Sequence, residues 1–192
     1  MTGSPASQET INNFVGLAHG DFDAVKRLLA EHPELINAQA VWGETAIQAA
    51  AQMGRVEIAE YLLAAGAPLD ICTAAMLGRK EMISAMLAAD PSQVQALGAH
   101  GIPLVYFPVI QGFKEIARLV VEHGAPVNGG EGSTTPLHGA VMFNQVELAG
   151  WLLDQGAQVN ALNYENKTPL AVARANQRQG LVELLTARGG KD

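Results

Sequence analysis

Apolar residues in this chain recur at three- and four-residue spacings inside short segments, and the segments are separated by Gly, Asn or a His-Pro pair. Between Ser133 and Leu162, one set is Leu137, Ala140 and Val141, and a second is Leu148, Ala149, Leu152 and Leu153. That spacing puts one apolar stripe on each of two helices. Pro136 marks the start of the first helix, Asn144 breaks it, and Val146 to Gln155 forms the second, closed by Gly156. The pattern predicts an antiparallel helical hairpin with an apolar face that one hairpin cannot bury.

The same arrangement recurs along the chain. Thr168-Pro169-Leu170 repeats Thr135-Pro136-Leu137 at an offset of 33 residues, and Thr45-Ala46-Ile47, Gly54, Glu57-Ile58-Ala59, Leu62-Leu63 and Gly66-Ala67 form an earlier copy. Thr-Pro-Leu-His, a break, Glu-Leu-Ala, Leu-Leu and Gly-Ala-x-Val-Asn together resemble the ankyrin repeat, with Asn144 where the family usually has Gly. The resemblance covers about residues 9–188. It implies an all-α solenoid of six stacked antiparallel hairpins with short finger turns, acting as a non-enzymatic protein-protein interaction module.

The hairpins are expected as an N-terminal cap over 9–33, repeats over about 34–70, 71–98, 99–128 and 129–161, and a C-terminal cap over 162–188. A polar lead at 1–8 and a tail at 189–192 flank them. Gly78 follows Gly54 by only 24 residues, so the third hairpin lacks its finger. An offset of 58 accounts for this, pairing Gly20 with Gly78, Pro33 with Pro91, Gly43 with Gly101 and Gly54 with Gly112. A two-hairpin block has been duplicated, and the third hairpin descends from a cap-like unit. The fourth hairpin departs most from the pattern. Ile102-Pro103-Leu104-Val105-Tyr106-Phe107-Pro108 stands where the first helix should run, and Pro108 predicts a kink or a late start.

Composition narrows the partner. A net charge of −7 argues against nucleic acid or an anionic membrane as the main partner. The single cysteine excludes an internal disulfide and fits a reducing compartment, and no apolar run reaches the length of about 18 residues that would span a membrane. The chain reads as cytoplasmic and monomeric, with homodimerisation through its apolar strip as the alternative.

The resemblance implies a partner-binding face built from the two residues before each helix break and from the finger tips. The first set is Gln52 and Met53, Met76 and Leu77, Ile110 and Gln111, Met142 and Phe143, then Ala175 and Asn176. The tips add Val41, Trp42, Glu44, His100, Glu131, Ser133, Tyr164, Glu165 and Lys167. This row is rich in Met and aromatic residues, the adaptable anchors of interfaces. Trp42, Met53, Met76, Met142, Phe143 and Tyr164 are the expected anchors. Glu44, Glu131 and Glu165 are expected at an acidic edge that selects a basic rim on the partner.

Little in the chain points to chemistry. The histidines are scattered with no pair at metal-ligand spacing, so no metal site and no catalytic residue are assigned. No phosphate-binding or dinucleotide motif occurs, and no cofactor is implied. His138 and the V-N residues Asn128 and Asn160 read as structural braces, and Cys72 as a buried thiol. The alternative reading is a small-molecule binder or enzyme with a pocket at the irregular fourth hairpin, around Tyr106, Phe107 and His100.

Overall fold

The computed structural model describes residues 6–129 and 132–192, so part of the 1–8 lead and the expected acidic tip Glu131 lie outside the described residues. The short apolar segments form six helix pairs: α1 Gln8–Leu17 with α2 Phe22–Glu31, α3 Ala46–Gln52 with α4 Val56–Ala64, and α5 Ile71–Met76 with α6 Lys80–Ala89. Then follow α7 Tyr106–Ile110 with α8 Lys114–Glu122, α9 Pro136–Met142 with α10 Val146–Asp154, and α11 Pro169–Ala175 with α12 Gln179–Ala187. Each first helix packs on the next, α1 on α3, then α5, α7, α9 and α11. The fold is the all-helical solenoid of the sequence reading, and the third pair has no finger, since only six residues separate α4 from α5.

Local chemistry sets the helix ends. Ser7, Asp21, Asp70, Thr135 and Thr168 cap their helices by accepting backbone N–H bonds, satisfying donors that the first turn leaves unpaired. Gly54, Gly78 and Gly112 end first helices at positive φ, and Asn144 takes the same conformation at φ 58°. Asn is the L-residue that accepts this geometry with least strain, which explains the substitution. Pro108 does not kink a helix. The helix starts late, at Tyr106, and Pro108 falls in its first turn, where a missing N–H costs nothing.

The first helices approach closely because they carry Ala and Gly. Ala49, Ala50, Ala74, Ala75, Ala140 and Ala173 are fully buried between neighbours. The aromatic side chains of α7 need more room, and glycines on either side provide it. A Cβ at Gly139 would lie 2.7 Å from the Tyr106 ring, and one at Gly98 would lie 2.4 Å from Phe107. Tyr106 and Phe107 pack edge to face with centroids 5.5 Å apart.

Polar braces tie consecutive pairs together. Asn128 donates to the Gly156 carbonyl at 2.8 Å and accepts from Gln158 N–H at 2.7 Å; Asn160 bonds Gly189 and Lys191 in the same way one repeat later. His138 is buried, with Nδ1 2.8 Å from the Thr135 hydroxyl and Nε2 3.0 Å from the Lys167 carbonyl. A carbonyl only accepts, so Nε2 carries the proton and Nδ1 accepts from Thr135. On the outer surface Lys80 pairs with Glu115 at 2.8 Å and Lys114 with Glu147, each bridging adjacent hairpins.

Burial holds the His138 imidazole below its ordinary pKa near 6.5. The unfolded chain therefore binds the proton more readily, and the stability contributed by the neutral ring is full above about pH 6.5 and lost as pH falls below it. His138→Ala is expected to lower unfolding free energy by about 2 kcal/mol, through the lost bonds to Thr135 and the Lys167 carbonyl, which keeps only its Asn163 N–H donor, and through the cavity left behind. Urea titrations of both proteins between pH 7.5 and 5 should show the difference narrowing toward the acid end.

Candidate functional site

The finger turns are built by backbone pairing. Gln39 bridges to Thr45 and Leu97 to Pro103, so residues 40–44 and 98–102 form tight loops against the first helices. In the first of these loops Val41 and Trp42 sit at the tip and Glu44 is on the returning limb. The limb turns inward, so Glu44 is fully buried.

Buried Glu44 organises the surrounding polar groups. The Trp42 indole N–H donates to its Oε2 at 2.9 Å. His19 Nε2 lies 3.7 Å and His100 Nε2 3.5 Å from the same oxygen. Oε1 has no hydrogen-bond partner, and no Lys or Arg among the described residues pairs with the carboxylate. His19 Nδ1 lies 3.1 Å from the Gly16 carbonyl, which places its proton there; Nε2 is left to accept from the Gln52 amide at 2.9 Å. Among the described residues no group of three His, Cys, Asp or Glu is arranged to hold a metal ion.

His19 and His100 form part of the wall of a hollow of about 620 Å³ between the finger turns and the first-helix ends. Of the expected site residues, the structure brings Gln52, Met53, His100, Ser133, Met142 and Tyr164 to its wall. Tyr106 also borders it, but its hydroxyl donates to the Gln52 carbonyl at 3.1 Å and burial pushes the phenol pKa up. The thiol of Cys72 is likewise buried and held in its neutral form. Trp42 and Tyr164 are 44% and 67% exposed, the accessible aromatic residues of the finger tips.

Several expected members sit elsewhere. Met76 and Ile110 are in the core, because in the second, third and fourth hairpins the first residue of the pre-break pair points into the stack and the second is half exposed; in the fifth, Met142 and Phe143 are both half-buried. Gln52 follows the same rule and is almost fully covered. Gln111 reaches across the stack, donating to the Gly54 carbonyl at 2.9 Å and the Met76 sulfur at 3.4 Å. Leu77 and Phe143 pack as half-buried residues against the core. Glu165 is exposed and pairs with Lys167 at 2.9 Å. Glu44 is not at an acidic rim: its backbone carbonyl pairs with Ala40 N–H at 2.9 Å, and that pairing turns the side chain inward.

Residues not assigned from sequence complete the hollow, chiefly His19, Ile102 and Thr134. His19 immediately precedes the break at Gly20, the position Met53 occupies before Gly54. That correspondence was a usable signal, obscured because the first hairpin lacks a preceding finger.

Comparison with known proteins agrees with this architecture. A model described as ankyrin repeats in three copies matches residues 71–163, and one described as ankyrin repeats in many copies matches residues 14–63. The chicken nuclear factor NF-kappa-B p105 subunit is 27% identical over 91% of this chain and 20% of its own length. Mouse ankyrin repeat and SOCS box protein 11 is 33% identical over 55% of this chain and 33% of its own length. The NF-kappa-B inhibitor cactus of Drosophila yakuba is 28% identical over 58% of this chain and 24% of its own length. The chain thus spans a third or less of these relatives. A crystal structure of an ankyrin repeat domain from Acinetobacter baumannii AYE superposes with a TM-score of 0.56 at 23% identity, covering 93% of this chain and 98% of that one.

A buried carboxylate with one oxygen unpartnered destabilises the fold that contains it. Glu44→Gln keeps an oxygen for the Trp42 indole and removes the charge. It is expected to raise unfolding free energy by about 1 kcal/mol, read as a higher urea midpoint with an unchanged slope.

Proposed function

The chain belongs to the ankyrin repeat family, whose repeats are in general protein-protein interaction modules, and from that premise we propose that it binds a partner protein in the groove between its finger turns and first-helix ends. The observation that carries this is the hollow lined by Met53, Met142, Tyr106 and Tyr164, with Trp42 exposed on a neighbouring finger. Exposed aromatic and Met side chains around a concavity are the residue types that dominate interface energetics. Braced stacking reduces the conformational entropy lost on docking. No helix among the described residues is long and apolar enough to cross a membrane, and a protein partner in an aqueous compartment, with the chain as adaptor or inhibitor, fits that.

The anchors of the proposed face are Trp42, Met53, Met142 and Tyr164. Met76, Ile110 and Glu44 are omitted because they are buried. The second reading, a small-molecule site at the fourth hairpin, draws on the same hollow bordering Tyr106 and His100. It is the weaker of the two, because the Tyr106 hydroxyl is buried and already engaged by the Gln52 carbonyl.

Affinity capture from lysate of the source organism, comparing the intact chain with a Met142→Ala, Tyr164→Ala variant, tests the face. The variant is expected to lose a protein that the intact chain retains, with its melting temperature falling by only a few degrees through the half-buried Met142. Equal retention by both chains would place binding elsewhere, and concentration-dependent mass by light scattering would show self-association of the chain instead.

A further inference from the structure

The Glu44 cluster is not explained by the fold. At the equivalent positions on the other fingers, Ile102 (offset 58 from Glu44) and Thr134 are buried without charge, and Lys167 is charged but exposed and paired with Glu165. Here the limb carries a carboxylate, fully buried, with one oxygen lacking any donor. The Trp42 indole N–H and both imidazole Nε2 atoms lie nearest Oε2, so Oε1 is left without a donor. His19 Nε2 is an acceptor already engaged by Gln52, and the His100 ring has no hydrogen bond among the described residues. The carboxylate therefore has no Lys or Arg partner among the described residues and one oxygen without a donor, and it lies beside two imidazoles that wall the hollow.

We propose that the hollow receives the guanidinium of an arginine side chain from the partner protein, with the Glu44 carboxylate as its counter-ion. This inference rests on the groove being the binding face. Arginine satisfies each feature of the site. It brings a charge that cannot be lost and five donors in a planar array, against one unpartnered carboxylate oxygen. Its guanidinium is weakly hydrated and stacks on aromatic faces, and Tyr164 and Tyr106 border the hollow. Lysine supplies charge but is a compact, strongly hydrated ion that does not stack as a plane. The chain's net charge of −7 favours approach of a basic partner.

Access requires one local movement. Glu44 has no exposed surface, and His100 is the residue that covers it from the hollow with a half-exposed ring. Its backbone is fixed by the Ser133 hydroxyl, which donates to the His100 carbonyl at 2.8 Å. The side chain is therefore free to turn while the finger stays in place. The Trp42 indole N–H holds Oε2, which orients the carboxylate, and Oε1 is the oxygen left without a partner for an incoming group.

The test uses the full chain and blocked tripeptides Ac-Gly-X-Gly-NH2 with X as Arg, Lys or citrulline, the neutral isostere of arginine. Binding is read from the ring resonances of His19, His100 and Tyr164. The arginine peptide should bind about tenfold or more tightly than the citrulline peptide, as a charged hydrogen bond in a covered site implies, and Glu44→Gln should remove that preference. Equal binding of the arginine and citrulline peptides, no perturbation of these rings by either, or a preference that survives in Glu44→Gln would each overturn the proposal. The arginine–citrulline comparison needs no mutant, so it stands even if Glu44→Gln perturbs the fold. If a captured protein is lost by the Met142→Ala, Tyr164→Ala variant but retained in full by Glu44→Gln, the groove remains the binding face and the arginine seat is wrong.

Discussion

Two short helices joined by a tight turn leave one apolar face uncovered, and covering it with the next copy is the constraint on which the rest of this structure depends. It requires small residues where first helices meet, so Ala recurs at the buried contacts. It requires every turn to be held to its neighbour, so the Asn side chains at 128 and 160 bond the backbone of the following pair. Stability is then a sum of neighbour contacts along a line, and the side of the array that is not used for stacking is left for recognition.

Glu44 runs against this economy of contacts. Its burial follows from the backbone pairing of its finger, and no Lys or Arg among the described residues pairs with it. Local rules that a sequence breaks without compensation tend to mark functional sites. Trp42 and the two histidines gather around this carboxylate from three different hairpins, so a side chain buried by one turn organises the wall of the hollow.

Most of the architecture was legible in the sequence, because helix period, Thr-Pro starts and Gly or Asn stops are local signals that do not depend on neighbours. The 58-residue offset found the missing finger, and the late start of α7 was one of two outcomes that Pro108 allowed. The face was less legible. Whether the residue before a break points in or out depends on the rotation of the next hairpin, so Met76 and Ile110 looked exposed and are core. Glu44 looked like a rim charge for the same reason, although its offset partner Ile102 was a sign that the position faces inward. His19 and His100 are 81 residues apart, and only the fold puts both beside one carboxylate.

The contact between Tyr106 and Gly139 gives the array a direction and an order. Interchangeable repeats present the same surface at both faces, so copies can be exchanged, added or removed with little penalty. Here the fourth hairpin projects a ring that only a neighbour lacking a Cβ can admit, and the fifth supplies that neighbour. These two units are a lock and key within one chain. Recombination that parts them leaves a wedge with no slot.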